Sequence, residues 1–97
     1  MVSVIYTFNH SLMGKHGVTV DSLLTSMRQL VQKADGIQEV AEGHFETEGE
    51  DALRLLYFAM DDLEANPQNL PFLQAVVSNV DGEIADCKDA LLHFKVR

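Results

Sequence analysis

The sequence predicts a mainly α protein, and two observations support that prediction. The first is an apolar repeat whose spacings alternate between three and four residues, as in a helix packed along another helix. Its positions are Leu70, Leu73, Val77, Val80, Ile84, Cys87, Leu91 and Phe94. The second is the same spacing just ahead of it, at Leu53, Leu56, Met60 and Leu63. An α+β fold is the alternative.

These two segments are predicted to form an antiparallel helical hairpin of Glu50–Glu64 with Leu70–Phe94. The first helix ends by Asn66-Pro67, because the residue before a proline avoids the helical region. The connection 66–69 is short, which favours a fold-back, and Pro71 suits the first turn of the second helix. Asp81-Gly82 interrupts the second pattern, so a break into two helices stays open as an alternative.

A third helix is predicted over Val20–Ala34 and is expected to pack against the hairpin. Thr19 or Asp21 can cap its first turn. Gly36 lies where a left-handed residue commonly ends a helix. The apolar stripe of this segment consists of Val20, Leu23, Met27, Leu30 and Ala34.

The N-terminal segment predicts a short β element. Val2–Phe8 is rich in β-branched and aromatic residues and alternates in the manner of a strand. A helical reading of residues 2–13 stays open, because Ile5, Phe8 and Leu12 also fit a helical stripe. Ile37–Val40 and His44–Thr47 form either a small hairpin that joins this strand or a loop.

Composition limits the class of protein. The chain has 97 residues, a single cysteine and a formal net charge of −8. We expect one domain, 1–97, without a disulfide. The seven Lys and Arg residues are scattered, so direct binding to nucleic acid or to an anionic membrane is not expected. No apolar run approaches the ~18 residues of a membrane span, and the N-terminus does not resemble a signal peptide. We expect a cytoplasmic protein.

The histidines indicate no metal site, because His10, His16, His44 and His93 never fall at the i, i+4 spacing of paired ligands. The run 10–14 is similar to the phosphoacceptor segment of histidine phosphotransfer domains at His10, Leu12 and Gly14. Met13, however, replaces the lysine of that motif, and the run is near the terminus rather than on a long mid-chain helix. The sequence therefore predicts no phosphotransfer site.

Two further candidates for chemistry have ordinary explanations. Cys87 falls on the apolar repeat, and a buried cysteine behaves as a small hydrophobic residue. The loop 14–17, bounded by glycines, lacks the spacing of a phosphate-binding loop and is expected to be a turn. No catalytic, cofactor-binding or metal-binding residue is predicted.

The predicted function is therefore that of a non-enzymatic protein–protein interaction module, an adaptor or regulator. The second helix is apolar around most of its circumference, which predicts a homodimer through helical faces. The candidate interface residues are Leu55, Tyr57, Phe58, Met60, Val76 and Val80. The alternative is an acidic inhibitor, or a nucleic-acid mimic, that binds a basic surface of a target protein. Its candidate contact surface is Glu39, Glu42, Glu46, Glu48, Glu50 and Asp51.

Overall fold

A computed structural model describes residues 1–48 and 52–88 and shows an α+β fold built on a five-stranded antiparallel sheet. The predicted mainly α fold is therefore wrong. A 3₁₀ helix, Pro67–Phe72, precedes the fourth strand. In chain order the other elements are β1 Val2–Phe8, α1 His10–His16, α2 Val20–Val31, β2 Ile37–Ala41, β3 His44–Thr47, α3 Ala52–Ala65, β4 Leu73–Val80 and β5 Glu83–Asp86.

The strand order across the sheet is β2-β3-β1-β4-β5, which places the N-terminal strand at the centre. β1 is antiparallel to both of its neighbours, β3 and β4. The first four strands and their helices thus follow the split βαβ arrangement of ferredoxin-like folds, and β5 extends it at one edge. The predicted strand Val2–Phe8 is confirmed.

Local signals in the N-terminal half form the elements that they predict. Thr19 caps α2, since its hydroxyl oxygen accepts a hydrogen bond from the Ser22 amide at 3.2 Å. The predicted helix Val20–Ala34 is confirmed, although it ends at Val31. Gln32 in a right-handed conformation follows it, so the predicted left-handed end at Gly36 is wrong. Residues 14–16 belong to the end of α1, and Gly17 closes that helix at φ 65°.

Of the two alternatives left open for residues 37–47, hairpin or loop, the structure shows the hairpin. The β2–β3 turn contains Gly43 at φ 76°, and the Tyr6 amide donates a hydrogen bond of 2.8 Å to the Gly43 carbonyl. A Cβ atom at Gly43 would lie 3.2 Å from the Phe8 ring. Glycine is required here both for its backbone conformation and for the close approach of β1.

The C-terminal segment is where the sequence-based prediction is wrong. The range predicted as the helix Leu70–Phe94 forms the end of the 3₁₀ helix and then β4 and β5, so neither a single helix nor two are present at 73–86. Asp81 and Gly82, at φ 51° and 94°, form the two-residue turn between the strands. Positive φ at both central residues is typical of the turn that suits a β-hairpin. Leu91 and Phe94 lie outside the described residues.

The hydrophobic core lies between one face of the sheet and the helices. β1 contributes Val2, Val4 and Tyr6 to it, and these are alternate residues of the strand. Facing them are the buried residues of the helices, Met13, Leu23, Leu24, Met27, Val31, Leu55, Ala59 and Leu63. Within the described ranges, no helix has both the length and the apolar character needed to cross a membrane.

Candidate functional site

The second face of the sheet, opposite the helices, is the candidate functional surface. Of the described residues whose side chains alternate onto this face, none is buried. Ile5, in the middle of the central strand, is 38% exposed, and Ile84 on β5 is 71% exposed. We call this surface the open face. Its residues are Ser3, Ile5, Thr7, Gln38, His44, Glu46, Ala75, Val77, Asn79, Ile84 and Asp86.

Strand register places an apolar pair at the centre of the open face. Ile5 pairs with Val77 on β4 and with His44 on β3, and Val77 in turn pairs with Asp86 on β5. One row across the sheet therefore reads Asp86, Val77, Ile5, His44 and Ala41. Directly opposite residues of antiparallel strands have Cβ atoms about 5 Å apart. The aliphatic pair in this row is flanked by two ionisable side chains, those of Asp86 and His44.

The neighbouring row is mainly polar. It runs from Ile84 through Asn79, Ser3 and Glu46 to Gln38. The Glu46 carboxylate lies 3.7 Å from the His44 Nε2 atom, which makes an ion pair when the imidazole is protonated. The open face thus combines a small aliphatic centre with a polar and partly charged rim, as specific protein interfaces do.

The candidate interface residues do not form one surface in the structure. Leu55 and Val76 are fully buried in the core. Phe58, Met60 and Val80 are partly buried and pack against it. Only Tyr57 among the six is mainly accessible, with 66% of it exposed.

The candidate acidic residues are likewise divided. Glu46 lies on the open face, whereas Glu39 is opposite the buried Phe45 and faces the helices. Glu42 is in the β2–β3 turn and Glu48 follows β3. Glu50 and Asp51 lie outside the described residues. The structure therefore brings Glu46 and Glu48 together, since both line one shallow pocket at the end of the open face, and it separates them from Glu39 on the helical side.

Glu39 has a structural role instead. Its two carboxylate oxygens accept hydrogen bonds from Nε and Nη2 of Arg28, at 2.8 and 3.0 Å, and Oε2 also accepts one from the Gly43 amide. Arg28 donates a further bond of 2.9 Å to Asp21. Such bidentate pairs are strong and directional. The pair therefore clamps α2 onto edge strand β2.

Replacing Arg28 with methionine is expected to lower the free energy of unfolding at neutral pH by about 1–2 kcal/mol, because it leaves Glu39 half-buried without its partner. The hydrogen bonds from Arg28 hold the pKa of Glu39 below its ordinary value of 4.5. A carboxyl group whose pKa is lower in the folded state contributes its full stabilisation above the unfolded pKa. That contribution is lost as pH falls through the folded pKa. Urea unfolding of both proteins should therefore differ at neutral pH and converge in acid. A difference that stayed constant with pH would contradict the clamp.

A second polar cluster is buried between β1, α2 and α3. The Tyr6 hydroxyl donates a hydrogen bond of 2.8 Å to Oδ2 of Asp62, and Asn66 Nδ2 donates one of 3.2 Å to Oδ1. Ser26 also hydrogen-bonds this carboxylate. Burial raises the pKa of Asp62, against the effect of these three bonds. Burial, followed by the charge of Asp62, raises the pKa of Tyr6 well above its ordinary range. Sequence reasoning missed this cluster, because nothing in the sequence distinguishes Asp62 from the nearby carboxylates Asp61 and Glu64.

The side chains that could bind a metal ion or act as a nucleophile are dispersed over the structure. His10 and His16 are exposed at the two ends of α1, and His93 lies outside the described residues. Cys87 is buried, and burial raises the pKa of its thiol, which disfavours the nucleophilic thiolate. In residues 1–48 and 52–88, no three His, Cys, Asp or Glu side chains are arranged to bind a metal ion.

Two surface pockets are shallow. One, of about 290 Å³, lies at the end of the open face beside Met1, Gln38 and Glu46. The other, of about 380 Å³, lies between α2 and β2, where Arg28 and Glu39 border a floor that includes Phe45. Neither pocket is lined by Tyr6, Asp62 or Cys87, so the buried polar groups do not meet a ligand-sized space there.

Comparison with known proteins finds no family model, no curated protein and no solved structure that matches this chain. The fold and the surface therefore define the class by themselves. It is an α+β protein with a split βαβ sheet whose second face is open and has an aliphatic centre.

Proposed function

We propose that this chain is a non-enzymatic protein–protein interaction module that acts as a homodimer through the open face of its sheet. The supporting observation is a sheet whose helices cover only one face, with Ile5 and Val77 exposed or half-buried at the centre of the other. A sheet face with an aliphatic centre is stabilised when a second layer covers it. The sequence predicted a dimer through helical faces. The proposed dimer forms through the open face of the sheet instead.

A second copy of the chain can lie against this face with its residue rows in register. A two-fold axis parallel to the strands, between β1 and β4, exchanges the two halves of the central row. Ile5 then lies opposite the partner's Val77, and His44 lies opposite the partner's Asp86. Asn79 lies opposite the partner's Ser3 in the next row. The same surface thus pairs with itself, as a two-fold interface requires.

The size of the face also suits a small dimer. Each strand residue occupies about 3.3 Å by about 4.8 Å of sheet plane, so the five strands present on the order of 450 Å². Specific interfaces at the small end bury about 600 Å² per partner, and projecting side chains raise the buried area above that of the plane. We therefore expect a dimer that dissociates on dilution.

Ile5→Glu is expected to abolish the dimer, because it would place two carboxylates in the aliphatic centre of the interface. The measurement is molar mass by light scattering during size-exclusion chromatography, over a hundredfold range of loading concentration. The natural chain should approach twice the monomer mass at the highest loading, and Ile5→Glu should stay monomeric.

The matched control is Leu53→Glu, the same kind of change at an exposed site on α3, 63% exposed and on the helical side of the sheet. It should leave the dimer intact. Circular dichroism should show that both variants are folded. A natural chain that is monomeric at every loading, or a dimer that survives Ile5→Glu, would reject the proposed function.

A further inference from the structure

The outer side of α3 carries a second exposed apolar surface, on the opposite side of the molecule from the open face. Leu53 and Tyr57 are 63% and 66% exposed, and they are four residues apart on the helix. Met60, partly buried, continues the line one turn later. We call these three residues the α3 stripe. Positions i, i+4 and i+7 of a helix form one continuous row.

The inner side of the same helix already supplies the core. Leu55, Ala59 and Leu63 are buried against the sheet and α2. Leu53 and Tyr57, the exposed members of the α3 stripe, are therefore not needed to hold the helix in place. Two large exposed apolar side chains at helical spacing provide anchor positions of the kind that an amphipathic partner helix uses.

The charges near the C-terminal end of α3 point to the chemistry of that partner. Asp61 and Glu64 are exposed there, and the last turn contains no basic residue. This end of a helix carries the negative pole of its dipole, where carboxylates are unfavourable. Within the described residues, no ion pair links either carboxylate to a basic side chain. A cationic partner would relieve this uncompensated negative potential.

We propose that the outer side of α3 is a docking surface for a basic amphipathic helix of a partner protein. Leu53 and Tyr57 contact apolar side chains of that helix, and Asp61 and Glu64 pair with its Lys or Arg residues. The surface does not depend on the proposed dimer, because the open face lies on the other side of the sheet. In such a dimer the two stripes would face outwards, which gives two docking sites per particle.

The test uses a synthetic helical peptide of leucine and lysine with an amphipathic repeat, and its binding is followed by fluorescence anisotropy. Tyr57→Ser is expected to weaken binding about tenfold, because buried tyrosines contribute strongly to interfaces. The Asp61→Asn and Glu64→Gln double variant should reduce both the affinity and its dependence on salt.

Three controls distinguish this site from general attraction to an acidic protein. Val40→Ser removes another apolar side chain, 50% exposed on β2, and should leave the affinity unchanged. Ile5→Glu should also leave it unchanged, which makes the result independent of dimerisation. A peptide with glutamate in place of lysine should not bind. Equal losses in Tyr57→Ser and Val40→Ser, a loss in Ile5→Glu, or equal binding of both peptides would overturn the proposal.

Discussion

Replacing Phe45 with alanine is expected to lower the free energy of unfolding by about 3–5 kcal/mol, the largest effect of any single substitution considered for this fold. Phe45 is completely buried on β3, and its ring lies edge-on to that of Tyr6 with centroids 5.9 Å apart. The substitution removes the ring and leaves a cavity at the junction of β1, β3 and the helices. Domains of this size are stable by only about 5–15 kcal/mol, so a large share of the total would be lost.

Urea unfolding at neutral pH, followed by circular dichroism, measures this effect. The matched control is Tyr57→Ala, which removes an aromatic ring of similar size from an exposed position on α3. Its expected cost is about 0.5 kcal/mol or less, as for most surface substitutions. Similar costs for the two variants would mean that Phe45 does not occupy the core as described.

Tyr6→Phe is expected to cost about 1.5–3 kcal/mol, because the hydroxyl donates a hydrogen bond to the buried carboxylate of Asp62. The pH dependence of stability gives a second measure of the same cluster. Burial raises the pKa of Asp62 above its ordinary value of 3.8. The folded state therefore holds this proton more tightly than the unfolded state does.

The sign of the pH effect follows from that difference. The contribution of Asp62 to stability is largest below the unfolded pKa, and it declines as pH rises through the raised folded pKa. We expect the free energy of unfolding of the natural chain, minus that of Asp62→Asn, to fall as pH rises above the unfolded pKa of the carboxyl group and to level off above its raised folded pKa. Taking the difference cancels the opposite contribution of Glu39. A difference that rises over this range would show that the hydrogen bonds to Asp62 outweigh its burial.

The C-terminal hairpin shows why the sequence was misread. Val77, Val80 and Ile84 fit a spacing of three and four residues, but Val76, Ser78 and Val80 also alternate along β4. A short apolar run does not by itself distinguish the two periods. Ser78, the polar residue of this alternating set, is buried, and its hydroxyl donates a hydrogen bond of 3.3 Å to the Ala85 carbonyl. A search for apolar spacing does not include a serine, so it does not find this core position. Asp81-Gly82, interpreted as a flaw in a helix, is a favoured turn between two strands.

The sequence by itself determined the features that depend on neighbouring residues. The Thr19 cap and apolar stripe of α2, the alternation of β1 and the end of α3 before Pro67 are local, and each formed as predicted. The burial of Cys87 was also predicted.

Only the tertiary structure decided that residues 73–86 are strands and that the sheet has an open face. β1 offers hydrogen-bonding groups on both of its edges, and β4 satisfies those on one side. This pairing joins segments that are far apart in the chain, so no local pattern contains it. The packing of α2 and α3 determines which face of β1 the helices cover, and this too is a contact between segments that are far apart in the chain. The exposure of Ile5 and Val77, and with it the proposed interface, follows from that packing because the side chains of a strand alternate between its two faces.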